Sequence, residues 1–250
     1  MNIDDYKLSG KGVYAILKKK GVEFLYHANT VLTCLTFIKE KALLSRHQVE
    51  SDGLLQSPQK SDAEDKKYDV WDCVFLDGVD LHKKYSRANK YGPVLFRLKL
   101  ELLASQTVQH IHVTKTNPWY WNDRLPPEKR YYQSLEELEN DYLTGKKLDS
   151  QIMFTVRNPG REIKLNKFLD SIGIDEPKIP VTIGNGDEVY VGDYARNAIK
   201  DALNKNGLGH INVLTRHQNT IYWCACAINY NYLNLWDKTE FKRRFSTQSL

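Results

Sequence analysis

Four short stretches of this chain carry residue types able to do chemistry, and none is a contiguous motif: Tyr26-His27 with Asn29-Thr30, Phe75-Leu76-Asp77 ahead of Tyr85, Tyr91-Gly92-Pro93, and Gly186-Asp187-Glu188. A neutral imidazole can offer one ring nitrogen to a hydroxyl or carbonyl while backbone holds the other, which fixes the tautomer. An aromatic side chain such as Tyr85 loses few rotamers when a flat ring stacks on it. A fixed carboxylate such as that of Glu188 stabilises positive charge developing on a sugar as its glycosidic bond breaks. Each also has a plainer reading: His27 as a hydrogen-bonded structural residue, Tyr85 as the core face of a helix, Glu188 as a turn acid beside Asp187.

The elements expected to hold these residues follow from periodicity. Residues 22 to 27, VEFLYH, suit a buried strand, and residues 29 to 45, NTVLTCLTFIKEKALLS, carry apolar residues at helical spacing behind a cap at Asn29 or Thr30. Residues 12 to 20 read as a short helix or arm ending in a lysine triplet. Residues 50 to 69 lack a sustained apolar period and are long enough to be a functional loop. Strands are expected at 70 to 77, 94 to 102, 108 to 114 and 151 to 157, the last ended by the turn Asn158-Pro159-Gly160. A short basic helix is expected at 80 to 90, and Ser134 with Glu137 fits a capping box. Residues 179 to 191 read as strand, Gly-Asn-Gly turn, strand. A helix follows at 193 to 205, and residues 211 to 230 look like a closing hairpin. This mixture without regular beta-alpha-beta alternation favours an α+β fold.

Composition narrows the class. The chain has 250 residues, with 41% hydrophobic, 27% charged and a net charge of +5, so a sizeable core is available. Mean hydropathy is -0.55, and no apolar run reaches the roughly 18 residues of a spanning helix. The N-terminus MNIDDYKLSGKG lacks an apolar signal region, so a cytoplasmic protein is the expectation. Cys34, Cys73, Cys224 and Cys226 are too sparse for a disulfide scaffold. Cys224-x-Cys226 and His110-x-His112 would each share a strand face, but neither has further ligands at a metal-site spacing, so no metal is expected. Dinucleotide-fold, P-loop, zinc-protease and hydrolase-elbow motifs are absent.

Taken in chain order, His27, Tyr85 and Glu188 resemble the ADP-ribosyltransferase fold, in which NAD lies across a split pair of small antiparallel sheets. The similarity is to the bacterial enzymes that modify nucleic acid, the DarT and CmdT group. There the catalytic glutamate opens a strand in a segment like Asp187-Glu188-Val189-Tyr190-Val191. The resemblance covers residues 22 to 45, 72 to 102 and 181 to 200, and implies one domain of split antiparallel β-sheets with flanking helices. An aromatic, Pro-rich insertion would occupy 115 to 148, and a C-terminal elaboration would begin near 205. It implies that His27 holds the nicotinamide-side ribose, Tyr85 stacks on nicotinamide, and Glu188 bonds the ribose hydroxyl. Asn29, Thr30 and Tyr91 would make further NAD contacts. Tyr91-Gly92-Pro93 departs from the Arg-Ser-Pro-like stretch of that group, which leaves Arg46 and Arg87 as candidate phosphate ligands.

The substrate side rests on two clusters. Residues 81 to 99 hold Lys83, Lys84 and Arg87 among other cations and no acid, suited to NAD phosphates, a nucleic-acid backbone, or simply a solvated face. Trp119, Trp121 and Arg124 combine aromatics with a cation in one loop, either to stack single-stranded bases or to plug the core. The implied activity is NAD-dependent ADP-ribosyl transfer to RNA or single-stranded DNA, by a toxin or anti-phage defence effector with an antitoxin partner and no membrane. The alternatives are a noncatalytic nucleic-acid-binding or interaction module of the same fold, and an NAD enzyme of the RNA 2'-phosphotransferase type.

Overall fold

A computed structural model describes residues 3–80, 88–143, 153–157, 162–165, 167–184, 186–216 and 225–248. Lys83, Lys84, Tyr85, Arg87, the Asn158-Pro159-Gly160 turn and Cys224 lie outside the described residues.

The first half of the sheet forms where apolar, β-prone segments are punctuated by caps. β1 (Leu8–Ser9) leads into α1 (Gly10–Lys19), whose cap is Ser9, accepting from the Gly12 N–H. β2 (Phe24–Asn29) is followed directly by α2 (Val31–Glu40), capped by Thr30. The expected helix ends short of residue 45, because Lys41 turns left-handed at φ 54° and the chain continues as β3 (Ala42–Leu44). α3 (Arg46–Ser51) and α4 (Asp62–Lys67) are short helices within the long polar connection, which is therefore more ordered than its composition implies. β4 (Val74–Asp77) and β5 (Val94–Lys99) follow.

β6 (His110–Thr114) precedes the aromatic loop and α5 (Leu135–Leu143). The capping box is present in altered form. Ser134 accepts from the Glu137 N–H at 3.1 Å, but the Glu137 carboxylate reaches back to the Gln133 N–H at 2.9 Å, one residue before the cap. The later elements are β7 (Met153–Val156), β8 (Glu162–Lys164), β9 (Leu169–Asp175), β10 (Pro180–Thr182), β11 (Glu188–Tyr190), α6 (Val191–Lys205) and β12 (Asn212–Arg216). The expected closing hairpin does not form. After β12 the described chain is helical, with α7 (Ala225–Trp236) and α8 (Lys238–Phe245). Cys226, Tyr230 and Leu233 are buried at helical spacing, a period hidden by the β-prone composition of the segment.

The strands assemble in the order β1-β6-β7-β4-β2-β5-β9-β12. All the pairings are antiparallel except β9 with β12. The join in the middle is weak. β2 pairs with β5 along its whole length, from Phe24↔Lys99 to Asn29↔Val94, whereas β2 meets β4 at the single pair Tyr26↔Asp77. The sheet is thus two four-stranded halves that part company beyond one residue pair, matching the expected α+β architecture of split sheets with flanking helices. Val94, Leu95 and Phe96 are all buried, so β5 is covered on both faces at its start and shows a charged face only from Arg97.

One large core fills the space between the sheet and α1, α2, α5 and α6. A second, smaller cluster of Ile3, Tyr6, Val70, Cys73, Trp121 and Tyr131 anchors the aromatic loop. No helix among the described residues is long and apolar enough to cross a membrane.

Candidate functional site

Where the half-sheets separate, the backbone leaves a cleft of about 890 Å³ of atom-free space, open to solvent. Tyr26 to Asn29 of β2 form one wall and Cys73 to Asp77 the other. α3 supplies Arg46, α4 supplies Asp65, and the loops supply Gln59, Ser61, Asn89, Tyr91 and Asn117.

His27 spans the split. Its Nδ1 lies 2.8 Å from the Phe75 carbonyl oxygen, which can only accept, so Nδ1 carries the proton. Its Nε2 lies 3.2 Å from Asn29 Nδ2. The orientation of that amide is set from the other side. Asn29 Oδ1 accepts from the Thr30 N–H at 2.9 Å and from Gln59 Nε2 at 3.2 Å, leaving Nδ2 to donate to the ring. Burial, with Arg46 nearby, depresses the pKa of His27, so the imidazole is neutral at pH 7. Its ring packs 5.7 Å from Phe37 and 6.2 Å from Phe96.

Arg46 opens α3 with its side chain only 12% exposed. Nη2 donates to Asp62 Oδ2 at 2.6 Å, Nη1 donates to the Ser57 carbonyl at 2.9 Å, and the guanidinium lies over Trp71 at 5.5 Å. The Nε is buried without a partner within the protein, while the guanidinium as a whole brings positive charge to the cleft lining. Tyr91 accepts from Asn117 Nδ2 at 3.1 Å, and burial raises its phenol pKa. Gly92 is required here: a Cβ at this position would sit 2.2 Å from the Asn29 carbonyl oxygen, against the backbone that carries the His27–Asn29 pair.

The cleft also holds two carboxyl groups, that of Asp77 from the Phe75-Leu76-Asp77 stretch and that of Asp65, which the sequence did not single out. Asp77 accepts from the Val79 N–H at 3.1 Å. Asp65 is 7% exposed and bonded to the Ser61 side chain. Burial, reinforced by Asp62 and Glu64, pushes its pKa up to about 7, against the opposing pull of Ser61 and Arg46. Gln59, Ser61 and, in α4, Asp65 belong to the long polar connection, and its length was their only signal. Asn89 and Asn117 had none.

The structure therefore brings together His27, Asn29, Arg46 and Tyr91. Thr30 is not part of the lining. Its hydroxyl accepts from the Thr33 N–H to cap α2 and donates to Ser57 Oγ at 2.9 Å, so it holds the helix instead. Trp121 is likewise a core plug, with its ring 5.2 Å from Tyr131 and its Nε1 donating to Thr116 Oγ1 at 3.1 Å. Trp119 is 45% exposed and neighbours a 67% exposed Tyr120, on a turn whose first residues, Asn117 and Pro118, line the cleft; Arg124 is exposed nearby in sequence. Glu188 stands exposed on β11, opposite Thr182, and outside the cleft lining. His112 is buried, bonded through Nε2 to the Ile3 carbonyl, with a pKa pushed down to about 4, while His110 is exposed. No metal-binding group of three or more side chains occurs among the described residues.

No family model matches the chain, and no curated protein does. Among solved structures it is similar to Thermus sp. 2.9 DarT in complex with ADP-ribosylated ssDNA, at 13% identity and a TM-score of 0.47, over 78% of this chain and 95% of that one.

Proposed function

We propose that the cleft binds NAD and that the protein transfers its ADP-ribose to a nucleic-acid base, in RNA or single-stranded DNA. The observation that carries this reading is the neutral, tautomer-fixed His27 bridging the split of the sheet inside the solvent-open cleft. The His27–Asn29 pair would face the ribose, and the Arg46 guanidinium would draw the phosphates toward its side of the cleft. Tyr91 offers a further aromatic wall. Tyr85 remains the proposed nicotinamide platform, and Lys83, Lys84 and Arg87 the proposed backbone contacts. Trp119 and Tyr120 would stack an unpaired base, and Arg124 would meet its phosphate.

Glu188 is proposed as the ribose-side carboxylate. Its hairpin leaves β9, and the Asn29↔Val94↔Ile174 register sets the C-terminal end of β9 level with that of β2. Holding negative charge beside the ribose would stabilise the sugar as its bond to nicotinamide breaks.

Labelled NAD supplied with separate RNA, single-stranded DNA and protein pools tests the reading. Label on nucleic acid, lost in His27→Ala and in Glu188→Ala, supports it. Label surviving Glu188→Ala discards that residue and leaves the enzyme. Intact NAD with no label in any pool removes the activity and leaves a binding module. NAD consumption requiring 2'-phosphorylated RNA identifies the phosphotransferase type instead. Growth arrest on expression, cured by the same substitutions, tests the toxin role.

A further inference from the structure

Resting on the NAD transferase reading, we propose that Asp65 is the proton acceptor of the transfer step, taking the proton that the attacking base nitrogen releases. The placement comes first. Asp65 lies in the cleft lining with Ser61, Gln59 and Arg46, and it is a carboxyl almost wholly withdrawn from solvent. A buried carboxylate ordinarily has a cation for company. Here the nearest guanidinium, Arg46, is engaged by a different acid, Asp62, at 2.6 Å. Asp62 is held in that role by the Gln59 N–H, which donates to the same Oδ2 at 2.9 Å. Asp65 is left with the Ser61 side chain, an arrangement that orients a carboxyl without neutralising it.

The charged and titratable groups that act on Asp65 are few. Arg46 on α3 favours its ionised form, while Asp62 and Glu64 on its own helix disfavour it. Tyr91, across the cleft, feels its charge. The turn Pro118–Tyr120, against which α4 packs, brings no cation of its own. Burial outweighs these influences and holds the carboxyl poised near neutrality, where a general base is most effective.

The step balances without a further reagent. The N–H nitrogen of the target base bonds to ribose C1′. The bond from C1′ to nicotinamide breaks, its electron pair going to the pyridine nitrogen, so nicotinamide leaves neutral. The proton lost by the target nitrogen passes to an Asp65 carboxylate oxygen, and from there to solvent at the cleft mouth.

The test is transfer of label from NAD to RNA and single-stranded DNA pools by the full chain, between about pH 5.5 and 8.5, comparing wild type, Asp65→Asn and Asp65→Glu. In wild type the rate should climb about tenfold per pH unit and level off near pH 7. Asp65→Asn should lower kcat by roughly 10²–10⁴-fold and abolish that limb, with the KM for NAD changed less than about threefold. Asp65→Glu should restore part of the rate together with the limb. His27 cannot supply a limb near pH 7, since its pKa is depressed, and Asp175, the other acid pushed up to about 7, is not in the cleft lining. An Asp65→Asn protein that retains the limb, or that loses NAD affinity at unchanged kcat, overturns the assignment while leaving the activity standing. A wild-type protein that leaves NAD intact at every pH overturns the activity and the assignment with it.

Discussion

Replacing Asp65 by Asn should stabilise the protein, and should do so only at neutral and alkaline pH. The carboxyl has an ordinary pKa of 3.8 and a folded value of about 7. Its folded-state pKa is raised, so at acid pH both folded and unfolded chains carry the proton and the group contributes no penalty. As pH rises from about 4 toward 7, the unfolded chain releases the proton while the folded chain retains it, and unfolding becomes progressively easier. Above 7 the full penalty is present. Three units at 1.36 kcal/mol each set a ceiling of about 4 kcal/mol. Asn has the same shape, keeps a bond to Ser61, and cannot ionise. Urea unfolding at pH 4.5 and pH 8 should therefore give a difference between variant and wild type of at most about 1 kcal/mol at the lower pH and about 2–4 kcal/mol in the variant's favour at the higher. For a chain of this size each kcal/mol corresponds to roughly 2–4 °C in Tm. The subtraction removes every other titrating group, Asp175 included. A difference that is the same at both pH values would show that the carboxyl is not held protonated by burial, and the reasoning about its role would fall with it.

Other perturbations bear on different parts of the structure. Gly92→Ala should destabilise by about 1–3 kcal/mol in urea unfolding and weaken NAD binding, because its Cβ collides with the Asn29–Thr30 backbone. Tyr230→Phe removes the hydroxyl that donates to Asp175 Oδ2 at 2.6 Å. That bond favours the ionised acid, so the loss should reach about 1–3 kcal/mol above pH 7 and shrink below it, as read from paired melts. His27→Ala should abolish label transfer by at least about 100-fold, with near-UV circular dichroism retained. Arg46→Ala leaves the Asp62 carboxylate without its cation and should raise the KM for NAD more than it lowers kcat, as steady-state kinetics would report.

How much of this was legible in the sequence depended on whether the signal was local. β2, α2 and its Thr30 cap, β6, β7 and the β10–β11 hairpin follow from periodicity and capping, which act within a few residues. β8 and β9 were not read, since IGID carries a glycine and two acids flank its apolar residues, yet Leu169 to Asp175 is held between β5 and β12 and almost wholly buried. Tertiary pairing overrode weak local propensity there. Thr30 and Trp121 each carried two readings in the sequence, cap or ligand contact for the one and core plug or base platform for the other, and the fold selects the cap and the plug.

Asp65 is the clearest case of information that a sequence does not hold. In the run Ser61-Asp62-Ala63-Glu64-Asp65-Lys66-Lys67 it is one of three acids in two turns of a polar helix, and composition marks it for solvent. What distinguishes it from Asp62 is its partner. Asp62 is drawn to Arg46, whereas Asp65, three residues further along and so on the same side of the helix, lines the parting of the half-sheets. That parting exists because β2 and β4 share a single residue pair, so their remaining edge groups must be met by side chains: the Phe75 carbonyl takes the His27 ring. The weak join that opens the cleft thus also fixes the histidine in it. Substituting His27 should consequently loosen the seam between the half-sheets, with faster amide exchange at β4 than at β5 as its signature.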